Sequence, residues 1–213
     1  MRTEKSIKNA IVAIASNIIL ILVGFISQAV FKTYLGQDYL GLNGLFTSIV
    51  SMLGIVELGL GTALIYHLYK PVAENDIPKI VALMRFYKLS YRIIAGIIIL
   101  AGALLMPLLH FFVSTDLNIN LYYIFGLFVI ESAFSYLLSY KRSILYANQE
   151  NYIVNIIHII YVIGMNLVQI ILLIKTRDYI LYLWLKVAFR MIENVLVTIA
   201  ANKRYPYIKS KEI

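Results

Sequence analysis

Five charged side chains interrupt otherwise apolar stretches of this chain: Glu57, Glu131, Lys186, Arg190 and Glu193. Hydrocarbon offers an ion no partner, and a charge at the centre of a membrane helix costs roughly 2.5–3.5 kcal/mol on insertion scales. Such residues face a bundle interior or a water-filled cavity, and they mark routes for polar cargo. Lys186, Arg190 and Glu193 fall within a narrow arc of one helix, with Tyr179 and Tyr182. Two readings of that face stand. Arg190 and Glu193 form a local i, i+3 pair that neutralises itself, or Lys186 and Arg190 present a cationic patch to an anionic group. Glu131 shares a face with Ser135, Ser139 and Arg142; it either joins helices by a hydrogen bond or lines the same route. Glu57 is ringed by Gly54, Gly59 and Gly61, which let a second backbone approach closely or let the helix bend.

The other polar residues are less pointed. Asn17 and Gln28 align with Ala10, Ala13 and Gly24, a small-residue packing seam with two polar contacts. His158 aligns with Asn155, Met165 and Gln169, as a hydrogen-bonded core histidine or a proton relay. The three His are widely spaced and Cys is absent, so neither a metal site nor a disulfide is expected. No Walker A loop and no Ser-His-Asp arrangement occurs, which excludes an ATP-driven pump within this chain. The expectation is a non-enzyme without cofactor.

These residues must be carried by membrane helices. Of 213 residues 61% are hydrophobic and 14% charged, against about a quarter charged in soluble domains. Six apolar stretches approach the length that crosses a bilayer, at 10–31, 44–67, 93–113, 118–140, 152–174 and 179–201. The expected fold is therefore all-α, a polytopic membrane protein with residues 1–213 as one lobe. The net charge of +8 could suggest nucleic acid, but the cations cluster between spans. Arg2, Lys5 and Lys8 precede the first span; Lys70, Lys79, Arg85, Lys88 and Arg92 fill the second connection; Lys141 and Arg142 the fourth; Lys203, Arg204, Lys209 and Lys211 the tail. Only Lys32, Lys175 and Arg177 fall on the other side, which predicts six crossings with both termini cytoplasmic and no nucleic-acid partner. Pro71 should end the second helix near Lys70. Asp76 then caps a helix with Pro78 in its first turn, and that helix runs through Lys79–Arg92 into the third span.

The runs Tyr34-Leu-Gly-Gln-Asp-Tyr-Leu-Gly-Leu-Asn-Gly-Leu-Phe46, Glu57-Leu-Gly-Leu-Gly61, Leu68-Tyr-Lys-Pro-Val-Ala-Glu74 and Ala82-Leu-Met-Arg-Phe-Tyr-Lys88 carry a resemblance, as does Ser139–Tyr152. With these the chain resembles the Wzx-type polysaccharide flippases of Gram-positive bacteria, in the multidrug/oligosaccharidyl-lipid/polysaccharide exporter superfamily. The resemblance implies a bacterial cell-membrane protein of two six-helix lobes around a central cavity. It would move an oligosaccharide on a polyisoprenoid pyrophosphate to the outer leaflet, for cell-surface polysaccharide or exopolysaccharide synthesis. Its expected partners are the lipid-linked sugar, membrane lipid and a second six-helix lobe, from the same chain or another. This chain covers one lobe, as a truncated frame, a fragment or a half-transporter would. A drug exporter of the same superfamily and a non-transport assembly protein or polymerase are the alternatives. The outer connections are too short to hold a polymerase site.

Overall fold

The structure, a computed structural model, describes residues 2–57, 60–113 and 119–209, without the side chains of residues 2–6, 8, 56, 60 and 209. Gly59 and the side chains of Arg2, Lys5 and Lys8 thus lie outside the described residues. All regular structure among them is helical. Three helical stretches are long and apolar enough to cross a membrane: Asn9–Leu35, Ile77–Phe112 and Asn151–Thr176. A bent pair, Leu121–Leu137 with Tyr140–Ala147, makes a fourth candidate, with 44° between its halves.

α1 (Arg2–Leu35) exposes Ile11, Ile14, Ile18, Ile21 and Phe25, the last at 76%. So continuous an apolar face suits lipid, since water-soluble monomers rarely expose one. α1 ends at Gly36, whose φ of 96° is a conformation that side-chain-bearing residues rarely adopt. α2 (Gln37–Leu53) follows at once. The 44–67 stretch, expected as one helix, is broken: α2 gives way to a 3₁₀ turn over Gly54–Glu57, and α3 (Leu60–Glu74) follows. Glycine makes the break fit, because a Cβ on Gly54 would stand 3.1 Å from the Tyr136 hydroxyl.

α3 also corrects the expected stop at Lys70. It passes through Pro71 to Glu74. A proline in the last turn forfeits a single helical bond, its own carbonyl accepts from Asp76 N at 2.9 Å, and Asn75 at φ 54° turns the chain away. Asp76 caps α4 (Ile77–Leu105) as expected, accepting from Lys79 N at 3.1 Å. α4 runs unbroken from the charged segment into the apolar one, then tightens at Pro107 into a 3₁₀ turn and the short α5 (Leu109–Phe112). α6 (Leu121–Leu137) is capped by Asn120, which accepts from Tyr123 N at 3.0 Å. α7 (Tyr140–Ala147), α8 (Asn151–Thr176) and α9 (Tyr179–Arg204) complete the bundle, with a 3₁₀ turn over Pro206–Lys209.

α1 packs on α8, α4 on α6, and α9 on both α6 and α8. The α4–α6 contact is close because Gly102 has no side chain; a Cβ there would lie 2.6 Å from Val129 Cγ2. Phe46, Phe125 and Phe128 tie α2 to α6 edge-to-face, at centroid distances of 5.2 and 5.7 Å. The seam expected on α1 is displaced by one residue. Ser16, Ser27 and Phe31 are buried, whereas Asn17 and Gln28 are exposed. Ser16 fits the seam because it is small and its hydroxyl donates to its own helix, at Val12 O. Amides as large as Asn17 and Gln28 would need partners there.

One end of the bundle is tied by polar contacts. Asn9 donates to Gln149 O at 3.0 Å and accepts from Tyr152 N at 2.9 Å, joining α1 to the α7–α8 elbow. Arg204 donates twice to the buried Glu150, at 2.7 and 2.8 Å, and Tyr205 donates to it at 2.8 Å. Hydrogen bonding to Glu150 holds the Arg204 guanidinium above its ordinary value, and burial with the same hydrogen bond raises the Tyr205 hydroxyl. Lys141, expected in a loop, is buried within α7 and donates to Asn202 Oδ1 at 2.9 Å and Ile208 O at 3.4 Å.

Candidate functional site: a charged cleft

The charges that the sequence placed in separate spans meet between α6, α7, α8 and α9. Arg190 Nε donates to Glu131 Oε1 at 2.7 Å, and Nη1 donates to Glu193 Oε2 at 2.6 Å. The local i, i+3 pair therefore exists, and a second carboxylate, from α6, shares the guanidinium. Its carbon also lies 5.0 Å from the Tyr161 ring centroid, a cation–π distance. Lys186 is held less tightly, with Nζ 3.8 Å from Glu131 Oε2 and 4.7 Å from the Phe128 ring.

Glu193 is completely buried, and three groups converge on it: Arg190, His158 Nδ1 at 2.8 Å and Arg142 Nη2 at 3.1 Å. His158 is thus a hydrogen-bonded interior histidine whose partner is an acid on the neighbouring helix. Arg142 also donates to Asn194 Oδ1 at 3.2 Å, while Asn194 donates to Phe134 O at 2.7 Å. One donor is left over. Arg142 Nε is buried without a hydrogen-bond partner among the described residues. Orphaned buried donors are rare, and one in a cleft wall is suited to water or a ligand.

Glu57 stands apart from this cluster. Lys186 and Arg190 are held by Glu131 and Glu193, and the hydroxyls of Tyr91 and Tyr136 are hydrogen-bonded to Glu57. A Cβ on Gly61 would stand 3.2 Å from Glu57 Oε1 and 3.3 Å from the Tyr91 hydroxyl. Gly54 and Gly61, expected to pack helices, therefore make room for polar side-chain tips. The break after Gly54 puts the Glu57 carboxylate on the wall of a cavity of about 420 Å³, opposite Arg142 and Arg190. A second cavity of about 420 Å³ adjoins it, lined by Thr47, Glu131 and Lys186, with Ser135, Tyr136 and Arg190 common to both.

The walls of this cleft carry three cations, Arg142, Lys186 and Arg190, against two carboxylates, Glu57 and Glu131. Glu193 lies behind the wall, balancing Arg190 and Arg142 from within. Ser135 and Ser139 donate to carbonyls of their own chain, Ser132 and Ser135, so their oxygens remain acceptors facing the space. Such a wall can bind a polar group through guanidinium donors and hydroxyls. No His, Asp and Glu of the described residues group as metal ligands do. Asn17 and Gln28 take no part in the cleft.

The sequence places Arg142 on one face with Glu131 and Ser135, and its position beside a connection hides that it reaches Glu193. Tyr91 and Tyr136 carried none, since tyrosines at span ends fit an interfacial belt equally well. At the far end Trp184 Nε1 donates to the Tyr123 hydroxyl at 2.9 Å. No protein-family model, curated protein or solved structure matches the chain.

Proposed function

We propose that this chain is one lobe of a flippase that moves a polyisoprenoid-pyrophosphate-linked oligosaccharide across a bacterial cell membrane. In this reading the chain crosses the membrane six times with both termini cytoplasmic, and the cleft faces the path of the sugar–pyrophosphate head. The observation that carries the reading is the pair of guanidiniums, Arg142 and Arg190, on the wall of one cleft, with Lys186 beside them. A guanidinium is suited to phosphate oxygens, because its planar fork donates two parallel hydrogen bonds. The hydroxyls of Thr47, Ser135 and Tyr136 offer exchangeable partners to sugar hydroxyls. The broken second span also fits a transport role, since irregular backbone at membrane depth occurs where it lines a cavity.

The test is reconstitution in vesicles loaded with a fluorescent polyprenyl-pyrophosphate disaccharide, followed by an impermeant quencher. Export in cells is the second readout. Arg142→Gln should abolish transfer measured per inserted protein, with insertion retained because Glu193 keeps His158 and Arg190. Transfer no faster than in protein-free vesicles, with export unaffected by the variant, rules the reading out.

A drug-exporter reading has one observation in its favour. Glu57 faces the same cleft and is held by neutral hydroxyls, as a site for an organic cation would be. Efflux of a cationic dye that depends on Glu57 but not on Arg142 would favour that reading.

A further inference from the structure

A third cavity, of about 280 Å³, opens on another side of the bundle, between α4, α6 and α9. Its walls are Phe134, Leu137, Leu138, Met191 and Val195, with Asn194 at its base and Arg92 at its mouth. Asn194 is already satisfied, by Arg142 and Phe134 O. Arg92 is exposed, and none of the described carboxylates pairs with it. It sits at the inner end of a cationic stripe on α4 with Lys88 and Arg85, four and seven residues before it on the same face. α4 passes from charged to apolar just beyond Arg92, so the stripe lies at the level where lipid phosphates meet hydrocarbon.

We infer that this groove is a specific site for an anionic phospholipid, with its phosphate on Arg92 and the upper part of one acyl chain between Phe134, Leu137 and Met191. Three features point to this occupant. The walls are apolar, so the part that enters must be hydrocarbon. The mouth carries an unpaired guanidinium, so the part that stays outside must be an anion. Basic pockets between membrane helices at a headgroup level bind anionic lipid in this way. The volume is smaller than that of drug-sized sites, and it suits part of a chain better than a whole ligand. Arg92 does not line the charged cleft, so the site is separate from the proposed transport route and stands whether or not that route carries a sugar.

The experiment uses the full chain in detergent, with thermal unfolding and native mass spectrometry as readouts. Phosphatidylglycerol, phosphatidylcholine with the same chains, and inorganic phosphate are the three probes. Phosphatidylglycerol should raise Tm saturably and persist as a bound adduct, while the other two should do neither. Arg92→Gln should weaken phosphatidylglycerol binding roughly fivefold, the effect of one basic residue near an anionic surface, with Tm in lipid-free detergent unchanged. Val195→Trp, which fills the groove, should remove the adduct while leaving Arg92 in place. Equal stabilisation by both lipids, an equal effect of phosphate alone, or full binding by Arg92→Gln would each overturn the assignment.

Discussion

Arg190→Gln separates an ion that holds the bundle from one that waits for cargo. The substitution removes the donors at 2.7 Å to Glu131 and 2.6 Å to Glu193. Stranding the partner of a buried ion pair costs about 3–5 kcal/mol. Three remaining contacts limit the damage here. Glu193 keeps His158 at 2.8 Å and Arg142 at 3.1 Å, and Glu131 keeps Lys186 at 3.8 Å. The expected loss therefore lies at the low end, about 3 kcal/mol. For a chain of this size that is a fall in Tm of about 6–12 °C. Thermal unfolding in detergent and membrane abundance by immunoblot would measure it. Adding Glu131→Gln to the Arg190→Gln background removes one stranded carboxylate but takes the partner from Lys186, so it should restore less than half of the loss. An unchanged Tm and abundance in Arg190→Gln, with transport lost, would refute the argument; Arg190 would then be acting on cargo, with its two carboxylate contacts contributing nothing to stability.

Three further outcomes are expected. Glu57→Gln keeps an acceptor for Tyr91 and Tyr136 but loses its charge, so transport should fall while abundance holds; a parallel drop in abundance would make Glu57 structural. Gly102→Ala puts a Cβ 2.6 Å from Val129 Cγ2 and should cost about 1–3 kcal/mol, or about 2–12 °C in Tm, with Val129→Ala recovering most of it. The raised Tyr205 hydroxyl contributes stability that is fully present below the ordinary tyrosine value of about 10 and is lost as pH rises above it. Tyr205→Phe should accordingly flatten the fall in Tm between about pH 10 and 12, and an unchanged slope would show that the Glu150 contact is not linked to folding.

Local features were legible in the chain because their causes are local. The Asp76 cap needs only a side-chain oxygen three residues before a free backbone N–H, and it forms as expected. Helix α8 follows from an apolar run of sufficient length. The seam on α1 was misplaced by one residue because a step of one turns the face by about 100°. Nothing in the sequence of α1 says which side α8 approaches, and α8 took the side of Ser16 and Ser27. Lys141 and Arg142 were read as solvated connection charges, since a loop and the eight-residue α7 leave the same mark in hydropathy.

Residue type and spacing alone determined that Glu131, Lys186, Arg190 and Glu193 are carried on apolar helices and that Glu57 lies within an apolar run, because burial of a charge in such a run is costly wherever it folds. They also determined that Arg190 and Glu193 share a face, because that follows from helix geometry within one turn. Only the tertiary structure decided which charge answers which. Glu131 and Arg190 are 59 residues apart, and they pair because α6 packs on α9. The same packing leaves Arg142 with a buried donor to spare, and the break at Gly54 turns Glu57 to the cleft. Charge pairing depends on the distance between helices, and that distance is set by small residues and ring packing elsewhere in the bundle.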